Sequence, residues 1–260
     1  MDRSNVRSDK LTSGPRLSGR AVEGKGRPGG NEILNSIPEA EYNRLRPELE
    51  LVQLGHRHIL HEAGERIEFA YFLNEGLASL VLLTSDGRSV EVGVVGHEGV
   101  VGTPLTVGLH RGPYRTIMQI SGTAFRVRAE ALEDWLEEAP ELRLILHRFI
   151  LIQGLQIAQI AACNRLHEID QRLARWLLMC QDRVNFECLP VTHEFLAQML
   201  GTGRPSVSLA AGVLQKAGTI ENGRGSVKIL NRSELETAAC ECYRAIQRFN
   251  RALVTRTAAD

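Results

Sequence analysis

The stretch that decides the fold, residues 189–230, reads LPVTHEFLAQMLGTGRPSVSLAAGVLQKAGTIENGRGSVKIL. It predicts two short helices that are joined by a tight turn and followed by a two-stranded wing. Thr192 is the expected N-cap of the first helix, because a threonine side chain can accept a hydrogen bond from the first turn. Gly201 and Gly203 allow a sharp turn. Pro205 is favoured at the start of the second helix, where its missing N–H costs little.

The second helix has one apolar side and one polar edge. Gly218 ends it in the position that glycine favours after a helix, and Gly223-Arg224-Gly225 is the expected tip of the following hairpin. The expected buried side consists of Val207, Ala211, Val213 and Leu214, and the opposite edge carries Arg204, Ser206, Ser208, Gln215 and Lys216.

Positive charge is concentrated in this part of the chain. Between residues 195 and 232, five basic residues face one acidic residue, Glu221, a difference of +4. A helix pair of this build can present its second helix to the major groove of DNA, with the wing near the phosphates. The sequence therefore predicts a DNA-binding unit, and an ordinary helical hairpin with a solvated polar face is the alternative. The five basic residues are Arg204, Lys216, Arg224, Lys228 and Arg232.

The order of these features resembles the winged helix-turn-helix of the Crp/Fnr superfamily of bacterial transcription regulators. The resemblance is carried by Phe195-Leu196-Ala197-x-x-Leu200-Gly201-x-x-Arg204-x-x-Val207-Ser208, by Leu214-x-x-Ala217-Gly218-x-Ile220 and by Gly223-Arg224-Gly225. It implies a homodimer that regulates transcription by binding double-stranded DNA, with RNA polymerase as a further candidate partner.

The resemblance also implies which residues face the DNA. Residues near the start of the second helix would read bases, and the others would hold phosphates and set the register. Pro205 stands where several relatives carry glutamate, and Leu209 stands where they carry a second base-reading arginine. Because leucine offers only apolar contact to a thymine methyl group, the DNA target should differ from that of the best-known members. The expected DNA-binding residues are Thr192, His193, Thr202, Gly203, Arg204, Pro205, Ser206, Ser208, Leu209, Lys216, Arg224 and Lys228.

Composition is that of a soluble globular protein. The 260 residues are 43% hydrophobic and 24% charged, and a chain of this length can hold one large or two modest domains. The formal net charge is zero, so affinity for nucleic acid has to come from local asymmetry. No apolar run approaches the length of a membrane span, and the start lacks the apolar core of a signal peptide. The five scattered cysteines do not suggest a disulfide framework. We therefore expect a cytoplasmic protein without membrane contact.

The first part of the chain changes from a tail to a series of β-like runs. Residues 1–30 hold six glycines and two prolines, with seven basic and three acidic residues, and predict a disordered tail. Two short helices at 31–37 and 38–45 come next. Seven short runs at close spacing, with the hairpin signal Asp86-Gly87 between two of them, then predict a jelly roll or barrel within residues 31–138. The runs are Leu49–Leu54, Ile59–Leu60, Phe69–Glu75, Ala78–Leu83, Val90–Val95, Thr116–Ile120 and Ala124–Val127.

Short motifs in this region are similar to those of the cyclic-nucleotide-binding fold of the same superfamily. They are Gly64-Glu65, Ala70-Tyr71-Phe72-Leu73-x-x-Gly76, Asp86-Gly87-Arg88 and Gly96-x-x-Gly99. The resemblance implies a sensor domain with a cyclic nucleotide as candidate ligand, because an arginine forks well onto phosphate oxygens. However, His97 interrupts the expected Gly-Glu pair, and residues 104–114 lack the usual phosphate-binding pattern. The alternative is that the charged candidates are structural, either solvated or paired with each other. The candidate ligand-binding residues are Glu98, Gly99, Arg115 and Thr116.

Pro140 introduces the longest helical stretch, from residue 141 to about residue 164. Its apolar residues recur at alternating spacings of four and three, the period of a coiled-coil seam. The resemblance implies that residues 139–165 form the dimerisation helix. A helix buried within one subunit is the alternative, because periodicity alone does not separate the two. The expected seam consists of Leu146, Ile150, Gln153, Ile157 and Ile160.

Residues 166–232 are the expected DNA-binding domain, which begins with a helix at 167–184. Residues 233–260 predict a C-terminal helix and tail that pack back on this domain, with Ser233 as N-cap. Cys240 and Cys242 would point apart on such a helix, so inert buried thiols are expected, with a redox-sensitive thiol as the alternative. His56, His58 and His61 have no cysteine or carboxylate at ligand spacing, and no metal site is predicted.

Together these features predict an α+β fold. It has an N-terminal double-stranded β-helix or jelly-roll sensor domain, a long dimerisation helix and a C-terminal winged helix-turn-helix domain. The sequence contains no recognisable nucleophile–base set or phosphate-binding glycine loop, so no enzymatic activity and no certain cofactor are expected. The predicted function is a sequence-specific transcription regulator. The alternative is a ligand-binding module that controls a protein partner without sequence-specific DNA binding.

Overall fold

The computed structural model describes residues 29–184 and 186–254, the last three by their backbone only. The predicted tail, residues 1–30, lies outside this part of the chain except for its last two glycines. The described residues form an α+β fold in the expected order. A β-rich N-terminal part is followed by a long helix and then by a C-terminal part with short helices and a small sheet.

Two short helices open the described chain, and a β-roll follows them. Asn31 caps the first helix, where its side chain accepts a hydrogen bond from the backbone N–H of Leu34 at 3.1 Å. Eight strands form two antiparallel sheets, with the orders β1-β8-β3-β6 and β2-β7-β4-β5. Seven strands coincide with the predicted runs, while β6 is too short to show a pattern. The elements are α1 (Glu32–Ser36), α2 (Glu39–Leu45), β1 (Glu50–Leu54), β2 (Ile59–His61), β3 (Phe69–Leu73), β4 (Leu77–Leu83), β5 (Ser89–Val95), β6 (Val100–Val101), β7 (Arg115–Ile120) and β8 (Gly122–Arg128).

A first hydrophobic core fills the β-roll and extends to the helices that follow it. Phe72, Leu73 and Met118 are fully buried in it, and helical residues such as Leu132 and Leu142 complete it. The predicted turn at Asp86-Gly87 joins β4 to β5, and the backbone N–H of Thr84 donates to the carbonyl oxygen of Arg88 across its base.

Two helices follow the β-roll, α3 (Ala129–Glu138) and α4 (Pro140–Leu166). By length and composition, α4 is the one helix among the described residues that could cross a membrane. Its apolar residues do not form one uninterrupted run, because Gln153, Gln156 and Gln159 lie among them. The same length and composition also occur in core helices of soluble proteins, and the buried side of α4 contributes to the core of the β-roll.

The C-terminal part contains the predicted helix pair and wing. Strand β9 adds a third strand to the wing, because it pairs with β11 in the sheet order β10-β11-β9. The elements are α5 (Ile169–Val184), β9 (Cys188–Leu189), α6 (His193–Met199), α7 (Arg204–Lys216), β10 (Ile220–Gly223) and β11 (Ser226–Ile229).

The predicted single C-terminal helix is two helices, α8 (Arg232–Ala238) and α9 (Cys242–Val254), with a break between them. The predicted cap was also wrong, because Asn231 rather than Ser233 caps α8, accepting from the backbone N–H of Glu234 at 3.1 Å. Helix α9 packs mainly along α4 and less on α5. Its Ile246 belongs to the core of the C-terminal part, and its Phe249 packs against the core of the β-roll.

The two parts of the chain are in direct contact. The second core is built around Trp176 of α5, and Leu77, Val94 and Ile120 of the β2-β7-β4-β5 sheet take part in it. A buried carboxylate, Glu91 of β5, also accepts a hydrogen bond from Trp176 Nε1 at 2.7 Å. The helix-turn-helix is therefore positioned on the β-roll through α5.

Candidate nucleic-acid interface

Helix α6 begins and ends as the sequence predicts. Thr192 is its N-cap, and the threonine Oγ1 accepts from the backbone N–H of Phe195 at 3.1 Å. Gly201 follows the helix at a φ of +59°, in the left-handed region that glycine adopts without steric cost. Gly203 differs from the expectation, because it has an ordinary extended conformation and serves as the N-cap residue of α7.

Helix α7 buries one side and presents the other to solvent. Its buried side consists of Val207, Ala210, Ala211 and Leu214. Val213 was expected on this side, but 53% of it is exposed. Leu209, one turn before Val213, is 75% exposed. Arg204, Pro205 and Ser208 are exposed as well, while Ser206 is half-buried. The residues expected to read DNA thus lie on the open edge of α7.

His193 connects the three elements of the winged unit. Its Nδ1 lies 3.0 Å from Ser208 Oγ on α7, and its Nε2 lies 3.4 Å from Asn222 Oδ1 on the wing. Asn222 is also anchored to α7, since its Nδ2 donates to Gln215 Oε1 at 2.9 Å. Sequence analysis assigned His193 and Ser208 to DNA contacts and did not identify Asn222 or Gln215. These four side chains hold the wing against the helix pair.

The wing carries exposed positive charge. Arg224 lies at the turn between β10 and β11, and Lys228 projects from β11. Lys216 is exposed in the last turn of α7. Arg232 was counted in the same positive group, but its guanidinium contacts Asp182 at 2.5 Å and Glu236 at 3.0 Å. The surface available to phosphates therefore contains four of the five basic residues.

A cleft separates the start of α7 from the hairpin between β4 and β5. Its volume is about 640 Å³, and Arg88 and Val90 of the hairpin face Glu194, Gly201 and Arg204 of the helix pair. The start of α7 is thus exposed but bordered by the β-roll of the same chain.

The four candidate ligand-binding residues do not form one site in this structure. Glu98 pairs with Arg183 of α5 at 2.7 Å, with both side chains largely buried. Arg115 pairs instead with Glu62 at 2.8 Å. Thr116 lines a cavity of only about 20 Å³, which is room for about one water molecule. Gly99 is packed against Phe149, where an added Cβ would lie 2.3 Å from the ring. These residues do not fit a cyclic nucleotide as they stand, and the two charges are paired separately rather than with each other.

Two of the three histidines considered above, His56 and His61, contact separate backbone carbonyl groups. His56 Nδ1 lies 2.8 Å from the carbonyl oxygen of Gln119, and His61 Nε2 lies 2.8 Å from that of Phe69. Burial lowers the pKa of His61. These contacts account for His56 and His61 without a metal ion.

Three of the five residues expected in the dimer seam of α4 are buried within the chain itself. Leu146, Gln153 and Ile160 are buried within the chain itself, and Gln153 Oε1 accepts a hydrogen bond from Thr103 at 3.2 Å. Ile150 and Ile157 are only half-buried. The exposed apolar residues of the helix lie beside the expected seam, and they include Leu144, Leu151 and Leu155.

Comparison with known proteins agrees with this geometry. Residues 171–238 match the Crp-like helix-turn-helix domain family. The transcriptional regulator LdrP of Thermus thermophilus is 28% identical over 190 residues, which span 68% of this chain and 90% of LdrP.

Solved structures show the same fold. FixK2 from Bradyrhizobium japonicum superposes with a TM-score of 0.64 at 16% identity, over 74% of this chain and 98% of FixK2. A transcriptional regulator of the CRP family from Thermus thermophilus superposes with a TM-score of 0.60 at 23% identity, over 72% of this chain and 96% of that protein. The matched helix-turn-helix domain and the curated relative together support a DNA-binding transcription regulator, and the solved structures show that the chain shares their fold.

Proposed function

We propose that the protein binds a two-fold symmetric DNA site as a homodimer, with one α7 of each subunit in the major groove. The observation that carries this proposal is the open edge of α7, where Arg204, Ser208 and Leu209 are all exposed. A second helix of this kind enters the major groove with its first residues at the base edges.

The exposed edge suggests a division of roles. Arg204 is proposed to read a base, because an arginine can contact guanine through two hydrogen bonds. Leu209 offers an apolar surface to a thymine methyl group. Lys216, Arg224 and Lys228 are proposed to contact phosphates, which position the protein without reading sequence. The contacts of His193 with Ser208 and Asn222 support a role in fixing this surface.

We propose that the second subunit packs on the exposed side of α4. Leu144, Leu151 and Leu155 follow one another at spacings of seven and four, as neighbouring residues of a coiled-coil seam do, and Leu151 is 65% exposed. Pairing two such helices would bury these side chains and give the two helix-turn-helix units the symmetry of a palindromic site.

The proposal includes the division of the chain and its setting. Residues 31–138 act as the sensor domain, 139–165 as the dimerisation helix, 166–232 as the DNA-binding domain and 233–260 as a C-terminal extension. The protein acts in the bacterial cytoplasm, with no catalytic residues assigned and RNA polymerase as a further partner.

Selection from random duplex DNA tests the proposal, followed by mobility shifts on the enriched and on scrambled duplexes. Arg204→Ala should weaken specific binding by about 1–3 kcal/mol and relax sequence preference at one position. Lys216→Ala should weaken binding to both duplexes alike and lower its salt dependence. Arg244→Ala removes an exposed arginine of α9 and serves as the matched control. Selection without any enriched motif would contradict the proposal, as would an Arg204→Ala variant as selective as the wild type.

The subunit contact is tested by light scattering at matched concentrations. Leu151→Glu should shift the protein from twice the chain mass toward the chain mass, because it places charges in the seam. Leu51→Glu changes a similarly exposed leucine of β1 and should leave the mass unchanged. A monomeric wild type, or a fully dimeric Leu151→Glu variant, would refute this contact.

A further inference from the structure

Three cysteines and one histidine come together between the end of α4 and the break that separates α8 from α9. Cys163 is in the last turn of α4, and His167 follows that helix. Cys240 lies in the break, and Cys242 is the first residue of α9. One ligand atom from each residue lies within 4.8 Å of the other three. The sulfur atoms of Cys163 and Cys240 are 3.4 Å apart, and Cys242 Sγ is 3.6 Å from His167 Nδ1.

The helix break explains why sequence analysis predicted no metal site. Cys240 and Cys242 would point apart on a continuous helix. Because the chain is not helical at Cys240, both thiols are buried toward Cys163 instead. The four residues are thus brought together from two distant parts of the chain.

We propose that Cys163, His167, Cys240 and Cys242 bind one Zn²⁺ ion in a closed tetrahedral site. Three thiolates and one imidazole are a typical ligand set of structural zinc. Sulfur atoms at about 2.3 Å from one tetrahedral ion would be roughly 3.8 Å apart, close to the observed spacing. A cluster of several iron atoms would need its ligands farther apart than this group allows.

Neighbouring side chains support the same assignment. His167 Nε2 lies 3.1 Å from Glu241 Oε1, so the ring can donate to the carboxylate and keep Nδ1 free to bind metal. A carboxylate in this position orients metal-binding histidines in many sites. Gln159 Nε2 donates to Cys242 Sγ at 3.1 Å. Arg172 and Arg175 supply positive charge that interacts with Cys163, which would offset the net negative charge of three thiolates around one Zn²⁺.

The ion would fasten the start of α9 to the end of α4. This is also the point where the chain passes from α4 into α5, so the site would stabilise the junction between the long helix and the helix-turn-helix. None of the four proposed ligands is among the residues proposed to contact DNA.

Metal content of the full chain tests the proposal. The protein is purified with zinc, without chelator and under reducing anaerobic conditions, and zinc is measured by mass spectrometry. We expect about one Zn²⁺ per chain. Replacement by Co²⁺ should give the intense absorption of tetrahedral cobalt and the near-ultraviolet bands of cobalt–thiolate bonds. Because this readout uses the wild type, it does not depend on the folding of any variant.

Variants locate the ligands. Cys163→Ser and Cys240→Ser should lose most of the bound metal, whereas Cys188→Ser, which changes the exposed cysteine of β9, should keep it. Glu241→Gln should retain the ion with an affinity about 10–100-fold lower in competition with a chelator. A wild type that takes up neither zinc nor cobalt would overturn the proposal. So would a metal-free protein whose intact mass and thiol count show a Cys163–Cys240 disulfide, or equal metal loss in Cys188→Ser and Cys163→Ser.

Discussion

Replacing the buried Glu91 by glutamine should remove a pH dependence of folding stability. The carboxyl group of Glu91 is enclosed between the β-roll and α5, where its oxygens lie 2.5 Å from Ser79 Oγ and 2.7 Å from Trp176 Nε1. Burial raises its pKa from 4.5 to about 7, although the hydrogen bonds and the charges of Arg175 and Arg183 act in the opposite direction.

The sign of the effect follows from the raised pKa. Between pH 4.5 and 7 the folded protein holds a proton on Glu91 that the unfolded chain has lost, so stability falls as the pH rises through this interval. Above pH 7 the contribution is constant. The folded and unfolded pKa values of Glu91 differ by about 2.5, and each pKa unit corresponds to about 1.4 kcal/mol. Protonation of Glu91 therefore contributes about 3 kcal/mol to the free energy of unfolding at low pH.

Urea denaturation at pH 5 and pH 8, at one protein concentration, measures this contribution. Between pH 5 and pH 8, the free energy of unfolding of the wild type should decrease by about 2–3 kcal/mol more than that of Glu91→Gln. Other groups titrate in both proteins and cancel, including His97, whose pKa is raised by its hydrogen bond with Glu32. Glu137→Gln, at an exposed site on α3, should behave like the wild type. Parallel pH profiles for the wild type and Glu91→Gln would refute the reasoning.

Three further changes have definite expected outcomes. Gly99→Ala should cost about 1–3 kcal/mol of unfolding free energy, because its Cβ would lie 2.3 Å from Phe149. Gly212→Ala, whose added Cβ has nothing within 4 Å, should be neutral or stabilising. Equal stabilities of the two variants in denaturant would contradict this. Thr192→Ala should cost about 1 kcal/mol by loss of the helix cap, and recovery in Thr192→Ser would separate the cap from side-chain size. Leu209→Arg should change the motif recovered in DNA selection by adding a preference for guanine at one position, and an unchanged motif would place Leu209 away from the bases.

The parts of the fold that depend on local chemistry could be predicted from the sequence. Thr192 caps α6, Pro205 lies in the first turn of α7 and Gly218 follows its end. Each of these preferences acts within one turn of the chain, so no knowledge of distant residues is needed. The hairpin at Asp86-Gly87 was predictable for the same reason.

The parts that depend on distant partners could not be predicted. The segment around Cys240 contains no proline or glycine that would predict a helix break. The break accompanies the packing of Cys240 and Cys242 against Cys163, which is distant in the sequence. Leu146, Gln153 and Ile160 of α4 are buried within the chain, and apolar periodicity does not tell which side of a helix faces its own chain. Glu98 was taken as a ligand residue, yet its partner Arg183 is 85 positions away.

Buried polar pairs fix how the two parts of the chain sit on each other. Glu91 with Trp176, and Glu98 with Arg183, both join the β-roll to α5 at 2.7 Å. Separating a buried polar group from its partner leaves it unpaired, which costs more than a small slip between apolar surfaces. Helix α5 packs directly on α7 in the second core. The orientation of the exposed edge of α7 relative to the β-roll is therefore set through α5 by a few directional contacts rather than by apolar packing alone.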